Sequence, residues 1–372
     1  MIRRLWIPSS HVQLLQAQHR LLQHHGLTRA FQRKRVKLSG TGLTINAIES
    51  VRPTSAAAAG QTTCVLAHGL GSGLGLFFPN LAFLAERFDR VVAFDWLGFA
   101  ASDRPEWDTT ASAEDATRFF THSFSAFCDD MGLNRFTFVA HSMGGLLASE
   151  FALDQPEALD ALVLVSPAGL PPTPDPFDLV DSSDLPNSMR VFKAAWEYNL
   201  TPGSMLRASG PRGPQYMRDM LSRRFANAHW SNEELIELMA DYLYHATAQP
   251  GSGEYAMNSL MMPEFQRSLG AGIYARRPLL PRMFRSAADG GLPSDLPVRI
   301  IFGDNDWLYS KATQQALQAA MGSHDQNQEK KNVSLQIAPQ AGHHIYIDNP
   351  GAVHTAIDEV FSMVHGDAVA EK

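Results

Sequence analysis

The chain predicts an α/β protein: a mostly parallel, doubly wound sheet interrupted by one long helical insertion. Three observations carry that expectation. Short apolar runs alternate with helix-length stretches from Thr63 to Val165, the rhythm of βαβ units. The rhythm stops after Ser166, at Pro171-Pro172-Thr173-Pro174-Asp175-Pro176, and returns only at Pro297. The strongest candidate site residues each follow a strand-like run, the edge at which open parallel sheets bind ligands.

The elements follow in order. Ser9 or Ser10 caps a helix running to about His25, with Gly26 as its stop. Leu14, Leu15, Ala17, Leu21 and Leu22 give it an apolar stripe. Three readings of this helix stay open: packed on the body, lying on a membrane surface, or part of a cleaved, acid-poor transit peptide. Lys34–Leu38 and Leu43–Ile48 form a hairpin around Ser39-Gly40-Thr41-Gly42, and a low-complexity link, Ser55 to Gly60, follows. Strands are expected near Thr63–Ala67, Val91–Phe94, Phe136–Ala140 and Leu162–Val165, with helices near Leu81–Arg87, Ala113–Met131 and Leu146–Leu153. Strands Val298–Phe302 and Val333–Ala338 complete the sheet. Pro350 opens a last helix at the position that proline favours. The expected regions are an N-terminal amphipathic helix (1–30), a first core part (31–167), a helical cap or lid without strand alternation (168–294), and a second core part (295–372).

Composition narrows the class. With 372 residues, 45% apolar and 19% charged, the chain is an ordinary globular protein. Its two cysteines, Cys64 and Cys128, make no disulfide framework, which fits an intracellular, reducing setting. No apolar run reaches membrane-span length, and no signal peptide is apparent. The first 48 residues hold eight Lys/Arg and no Asp or Glu. That end is suited to an anionic surface or an import receptor, so a peripheral membrane site and a mitochondrial one both fit. Nucleic acid is a poor partner, because the body is acidic and carries no binding motif.

The chemistry is concentrated at Phe138-Val139-Ala140-His141-Ser142-Met143-Gly144-Gly145. An apolar strand running into a serine with small neighbours, then a helix, is the pattern of a nucleophile elbow. Ala140 stands where the first small residue is usually glycine. Downstream, Gly303-Asp304-Asn305-Asp306-Trp307 and Gly342-His343-His344 each close a strand. Ser142, Asp306 and His343 have the types and the order of a nucleophile, an acid and a base: a neutral imidazole takes the serine proton and a carboxylate fixes its tautomer. Asp304 and His344 are the rivals for the last two roles. The glycine-rich run His68-Gly69-Leu70-Gly71-Ser72-Gly73-Leu74-Gly75 lets backbone approach a substrate closely. The N–H groups of Leu70 and Met143 are the expected oxyanion donors, with Gly69 beside the substrate. The run lacks the endings of a nucleotide-binding loop. Nine of 14 methionines (Met189 to Met283) fall in the insertion, as groove-forming or gap-filling residues.

Further motifs extend over nearly the whole chain. They are Leu5-Trp6-Ile7-Pro8-Ser9, the His68–Leu76 run, Asp95-Trp96-Leu97-Gly98-Phe99 with Ser102-Asp103-Arg104-Pro105, and Tyr244-His245. Ser252-Gly253-Glu254, Ala275-Arg276-Arg277-Pro278 and His343–Pro350 join them. Together they resemble the α/β-hydrolase family that contains N-acylphosphatidylethanolamine lipase, the cardiolipin-specific deacylase and the adipose-lipase co-activator. The resemblance implies the α/β-hydrolase fold and an acyl-lipid substrate, usually a glycerophospholipid, met at a membrane or lipid-droplet surface. No cofactor or metal is expected. Three roles are compatible with it: a phospholipase-type serine hydrolase, a CoA-dependent lysophosphatidic acid acyltransferase, and a scaffold regulating a partner lipase. The co-activator members lack the nucleophile, and Ser142 disfavours the last role. His343 to Asp348 matches the H-x4-D spacing of the acyltransferase members, although Asp348 or Asn349 also suits the cap of the final helix. Arg276 and Arg277 are either phosphate-headgroup ligands or solvated surface charges. Ala140 and Ala100 replace family glycines.

Overall fold

The computed structural model describes residues 9–51, 61–225, 232–322 and 332–366. The Leu5-Trp6-Ile7-Pro8 stretch and the Ser55–Gly60 link lie outside them.

Eight strands make the main sheet: β1 (Phe31–Lys37), β2 (Thr44–Ser50), β3 (Thr63–Ala67), β4 (Arg90–Phe94), β5 (Phe136–His141), β6 (Leu159–Val165), β9 (Val298–Gly303) and β10 (Val333–Ala338). Their order is β1-β2-β4-β3-β5-β6-β9-β10. β1 and β2 form the expected hairpin, with Lys37 opposite Thr44. β2 runs antiparallel to β4, and the other pairs are parallel. The chain steps from β3 outward to β4, then crosses back to β5 on the other side. That reversal splays apart the loops leaving β3 and β5 and opens a crevice between them.

β3 and β5 are buried at every residue, as parallel strands covered on both faces must be. Helices α1 (His11–His24), α2 (Phe78–Arg87) and the C-terminal α10 (Pro350–His365) pack into one apolar cluster. Helices α3 (Ala113–Met131) and α4 (Met143–Asp154) pack into the other. Ser112 and Asp115 close a reciprocal capping box on α3, and Gly132, at φ 62°, ends it. α9 (Lys311–Gly322) lies between β9 and β10 in sequence.

Between β6 and β9 the chain leaves the sheet. It forms α5 (Asn187–Glu197), α6 (Pro202–Ala208), α7 (Gly213–Arg224) and α8 (Glu233–Thr247), then a hairpin of β7 (Met261–Gln266) and β8 (Gly270–Ala275). The hairpin corrects the expectation of an insertion without strand alternation. Each strand has only six residues, and Pro263, Gly270 and Gly272 thin the apolar signal; pairing with a neighbour, not propensity, makes the strands.

The N-terminal helix packs on the body. Ser10 caps it, accepting from the Gln13 N–H. Leu14, Ala17, Leu21 and Leu22 are buried, α1 packs against α8, and Arg20 pairs with Asp241 at 2.5 Å. Its apolar stripe is therefore covered by protein and not presented to a membrane. No described helix is long and apolar enough to cross a membrane. Both cysteines are buried and free.

The insertion is anchored to the core through Ser252-Gly253-Glu254. The Gly253 N–H donates to Gly98 (3.3 Å), and Ser252 donates to the Pro105 carbonyl. Glu254 holds Arg207 at 2.5 Å and accepts from Thr201 at 2.7 Å, with only 8% of its side chain exposed. Removing one partner of a buried, hydrogen-bonded pair leaves the other charge uncompensated. Glu254→Gln is expected to cost about 3 kcal/mol, read as a lower urea midpoint with the m-value unchanged.

Candidate active site

β5 delivers Ser142 into a backbone conformation that side-chain-bearing residues avoid, φ 55° and ψ −119°. Two bonds lock it there: its N–H donates to Val165 (3.0 Å), and its carbonyl accepts from Ala168 (3.1 Å). α4 starts at the next residue and runs hard against β3. A Cβ on Gly144 would stand 2.5 Å from the His68 carbonyl oxygen and 2.9 Å from that of Ala67, so only glycine fits. Ala140 is fully buried in β5, and its methyl group is accommodated in the apolar cluster there.

The three candidates of the sequence meet. His343 Nε2 lies 2.9 Å from Ser142 Oγ, and His343 Nδ1 lies 3.0 Å from Asp306 Oδ1. Oδ1 also accepts from the Leu308 N–H (2.9 Å). Burial alone would raise the Asp306 carboxyl, but His343, Ser166 and the Leu308 amide outweigh it and hold the group below the ordinary carboxylate range. Ser166 itself has a positive φ of 48°.

The rivals do other work. Asp304 accepts from the Gln340 and Ala341 N–H groups, both at 3.0 Å, and so braces the loop that carries His343. His344 makes no hydrogen bond to the serine among the described residues and stands in a ring cluster with His141 and Tyr346. Burial, then the charges of His343 and Arg224, push its imidazole down to about 3. Asp348 accepts from the Gly342 N–H (2.8 Å) and pairs with Arg224 of α7, while Asn349 is the residue that caps α10.

Sequence reasoning missed His141. Its Nε2 lies 2.9 Å from the His343 carbonyl oxygen, so the residue before the serine fixes the backbone of the base. Burial, then the charges of His343 and His344, keep it well below its ordinary value. It is therefore neutral and donates from Nε2. Its place beside the elbow was the only signal in the sequence.

The glycine-rich loop closes on the same point. A Cβ on Gly69 would sit 2.8 Å from Ser142 Cβ and from His141 Nδ1. Gly69 thus permits close approach. Among the described residues, neither the Leu70 nor the Met143 N–H donates to a protein acceptor. Buried Asp95 secures the loop, accepting from the Leu74 N–H (2.7 Å), Asn46 Nδ2 (2.8 Å) and the Ala101 N–H (3.2 Å). His68 accepts from the Trp96 N–H at Nε2 (3.2 Å) and faces the Gly69 carbonyl with Nδ1 (2.8 Å).

Arg276 and Arg277 are not brought to the serine. Arg276 donates to the Asn258 carbonyl, and Arg277 lies 3.8 Å from Glu150, which also holds Arg282. Two cavities flank the triad instead. One, about 1230 Å³, is bordered by His343, Trp307, Arg224, Asp348 and Phe78. The other, about 230 Å³, lies under the β7–β8 hairpin and shares Trp307. None of the insertion methionines borders either. No cluster of potential metal ligands occurs among the described residues.

A parallel sheet with a serine at a strained strand-to-helix turn, joined to a histidine and an aspartate from later strand ends, defines an α/β hydrolase. The chain belongs to the alpha/beta hydrolase fold family, which matches residues 63–350. It is 32% identical to the 1-acylglycerol-3-phosphate O-acyltransferase of Arabidopsis thaliana, over 95% of this chain and 81% of that protein. It is 33% identical to the probable enzyme of that name from Oryza sativa subsp. japonica, over 79% of this chain but 66% of the rice protein. The (lyso)-N-acylphosphatidylethanolamine lipase of Mus musculus is 29% identical, over 82% of this chain and 80% of that one. Among solved structures, a membrane phospholipase A has the same fold, with a TM-score of 0.60 and 18% identity over 97% of this chain and 93% of the other.

The histidines held neutral beside the base set a pH dependence. His344 is neutral in the fold, whereas the unfolded chain takes up that proton below about 6.5. Stability is complete above that pH and is lost as pH falls from there toward about 3. The expected slope is roughly 1.4 kcal/mol per pH unit for each such histidine. Urea titrations across this range should show a flatter slope for His344→Gln; an unchanged slope would contradict the assignment.

Proposed function

We propose that the protein is a serine hydrolase that releases fatty acid from a glycerophospholipid or related acyl lipid. The unbroken Ser142–His343–Asp306 hydrogen-bonded chain carries this reading. Ser142 Oγ attacks the acyl carbonyl while His343 Nε2 takes its proton, and Asp306 holds the imidazole and stabilises its charged form. The unpaired Leu70 and Met143 N–H groups receive the developing oxyanion. His343 then returns the proton to the leaving oxygen or nitrogen, and water, activated by the same base, releases the fatty acid. The insertion (168–294) acts as a cap over the triad. The lipid-acting relatives support the substrate class, and the phospholipase-like neighbour supports the fold alone.

A second reading is favoured by the two plant relatives: acyl transfer from CoA thioester to a lysophospholipid. It uses the same acyl-enzyme, with a lipid hydroxyl in place of water. Asp348 bears on both readings. Its bonds to Gly342 and Arg224 make it a brace for the base loop, so it serves hydrolysis and transfer alike.

Ser142→Ala is expected to lose at least about a thousandfold in kcat with its unfolding curve intact. Mass spectrometry of products from vesicles of phosphatidylcholine, phosphatidylethanolamine, its N-acyl form and cardiolipin checks this; retained turnover would sink the triad. Asp348→Ala should depress fatty acid release and any CoA-dependent phosphatidic acid formation by a similar factor, on the order of tenfold. Loss of transfer alone would instead make Asp348 part of an acyltransferase site.

A further inference from the structure

Trp307 directly follows the acid Asp306 and borders both cavities. Its ring centre lies 5.1 Å from that of His343, and the residue is 59% exposed. An indole so placed is a wall shared by two compartments, and their linings differ in kind.

On one side is the cavity under the hairpin. The β7–β8 register sets Pro263 opposite Ile273 and Phe265 opposite Ala271, so these four apolar side chains share one face. All four line the cavity, and among the described residues no charged side chain does. Its polar groups are already satisfied: Thr313 donates to the Leu308 carbonyl at 2.7 Å, and Tyr274 is bonded to Gln266. Pro167 and Gly169 line it as well. They flank Ala168, whose N–H holds the Ser142 carbonyl, which keeps the cavity beside the elbow.

On the other side the lining mixes polar and apolar groups and carries a guanidinium. Among the described residues, Arg224 reaches from α7 to Asp348 through a single nitrogen, and 39% of its side chain stays exposed. A Cβ on Gly342 would lie 3.0 Å from Arg224 Nη2, so the charge rests against the residue preceding His343. A guanidinium with nitrogens to spare suits a phosphate, which it binds through parallel N–H donors.

We propose that Trp307 partitions the substrate, with the scissile acyl chain in the hairpin-roofed cavity and a phosphate-bearing end against Arg224. The partition rests on the acyl-lipid reading above. It also sets a length preference. An apolar cavity of ~150 Å³ holds a six-carbon benzene ring, so 230 Å³ holds roughly nine carbons.

The test is a matrix of chain length against headgroup. Monoacylglycerols and lysophosphatidic acids with butyryl, decanoyl or palmitoyl chains are offered to the wild type, Ala271→Phe and Arg224→Gln. Filling the cavity with Ala271→Phe should lower the decanoyl-to-butyryl ratio of kcat/KM about tenfold for both headgroups. Arg224→Gln should lower the phosphate-to-neutral ratio about tenfold at every chain length, leaving the length profile alone. Ile273→Phe repeats the first arm should Ala271→Phe fold poorly. Equal losses across all lengths, or across both headgroups, would overturn the partition.

A binding arm separates this from the hydrolase reading. In the Ser142→Ala background, bromodecanoyl lysophosphatidic acid and its monoacylglycerol counterpart should quench Trp307 emission, read as the difference from Ser142→Ala/Trp307→Phe. Ala271→Phe should abolish quenching by both, and Arg224→Gln should weaken only that by the phosphate form. Such quenching without turnover by the wild type would sink the hydrolase reading and sustain the partition. Turnover without quenching or any length effect would do the reverse.

Discussion

The site depends on how closely three backbone segments approach one another at the elbow. β3 ends against the first turn of α4, and the glycine-rich loop folds back onto the serine. Gly144 and Gly69 mark the two contacts at which a single added carbon would collide. Ser142 keeps its unfavourable φ because the surrounding backbone bonds leave it no alternative. Strain of this sort costs on the order of 1–3 kcal/mol, and the buried sheet beneath easily offsets it. Asp95 extends the same constraint outward. One buried carboxylate takes donors from β2, from the glycine-rich loop and from the turn after β4, so these three segments hold one geometry.

Around this frame the histidines divide their labour by partner. His343 keeps a half-open position between the serine and the aspartate. His141 and His344 are kept neutral, and their rings and that of the base form one mutual cluster. Neutral rings add no charge beside His343, and His141 also grips its carbonyl. A basic residue becomes useful scaffolding once its proton is removed.

Much of this was legible in the sequence. Ser142, Asp306 and His343 stand out because each follows a strand-like run, and parallel strands deliver their C-terminal ends to one edge. The β1–β2 hairpin and α10 were legible from turn and cap residues, whose effects are local. What escaped notice depends on distant partners. The hairpin β7–β8 exists by mutual pairing, and His141 acts on a residue 202 positions away. Arginines were the hardest case. Arg276 and Arg277 stood out as part of a family-like motif, yet they lie with Asn258 and Glu150, while Arg224, next to Arg223 at the end of α7, stands beside the base. A guanidinium is always charged, so only its surroundings assign it a task.

The docking of α1 has a consequence for maturation. Ser9 is bonded to His245 and Gln249 of the insertion, and the leucines after it are sealed against α8. A processing peptidase that cut beyond Ser9 would strip α8 of a packing partner and uncover a row of leucines on the insertion's support. Any cut at this end that leaves the fold intact therefore has a limit set by packing: it must fall short of Ser9 and of the helix docked on α8.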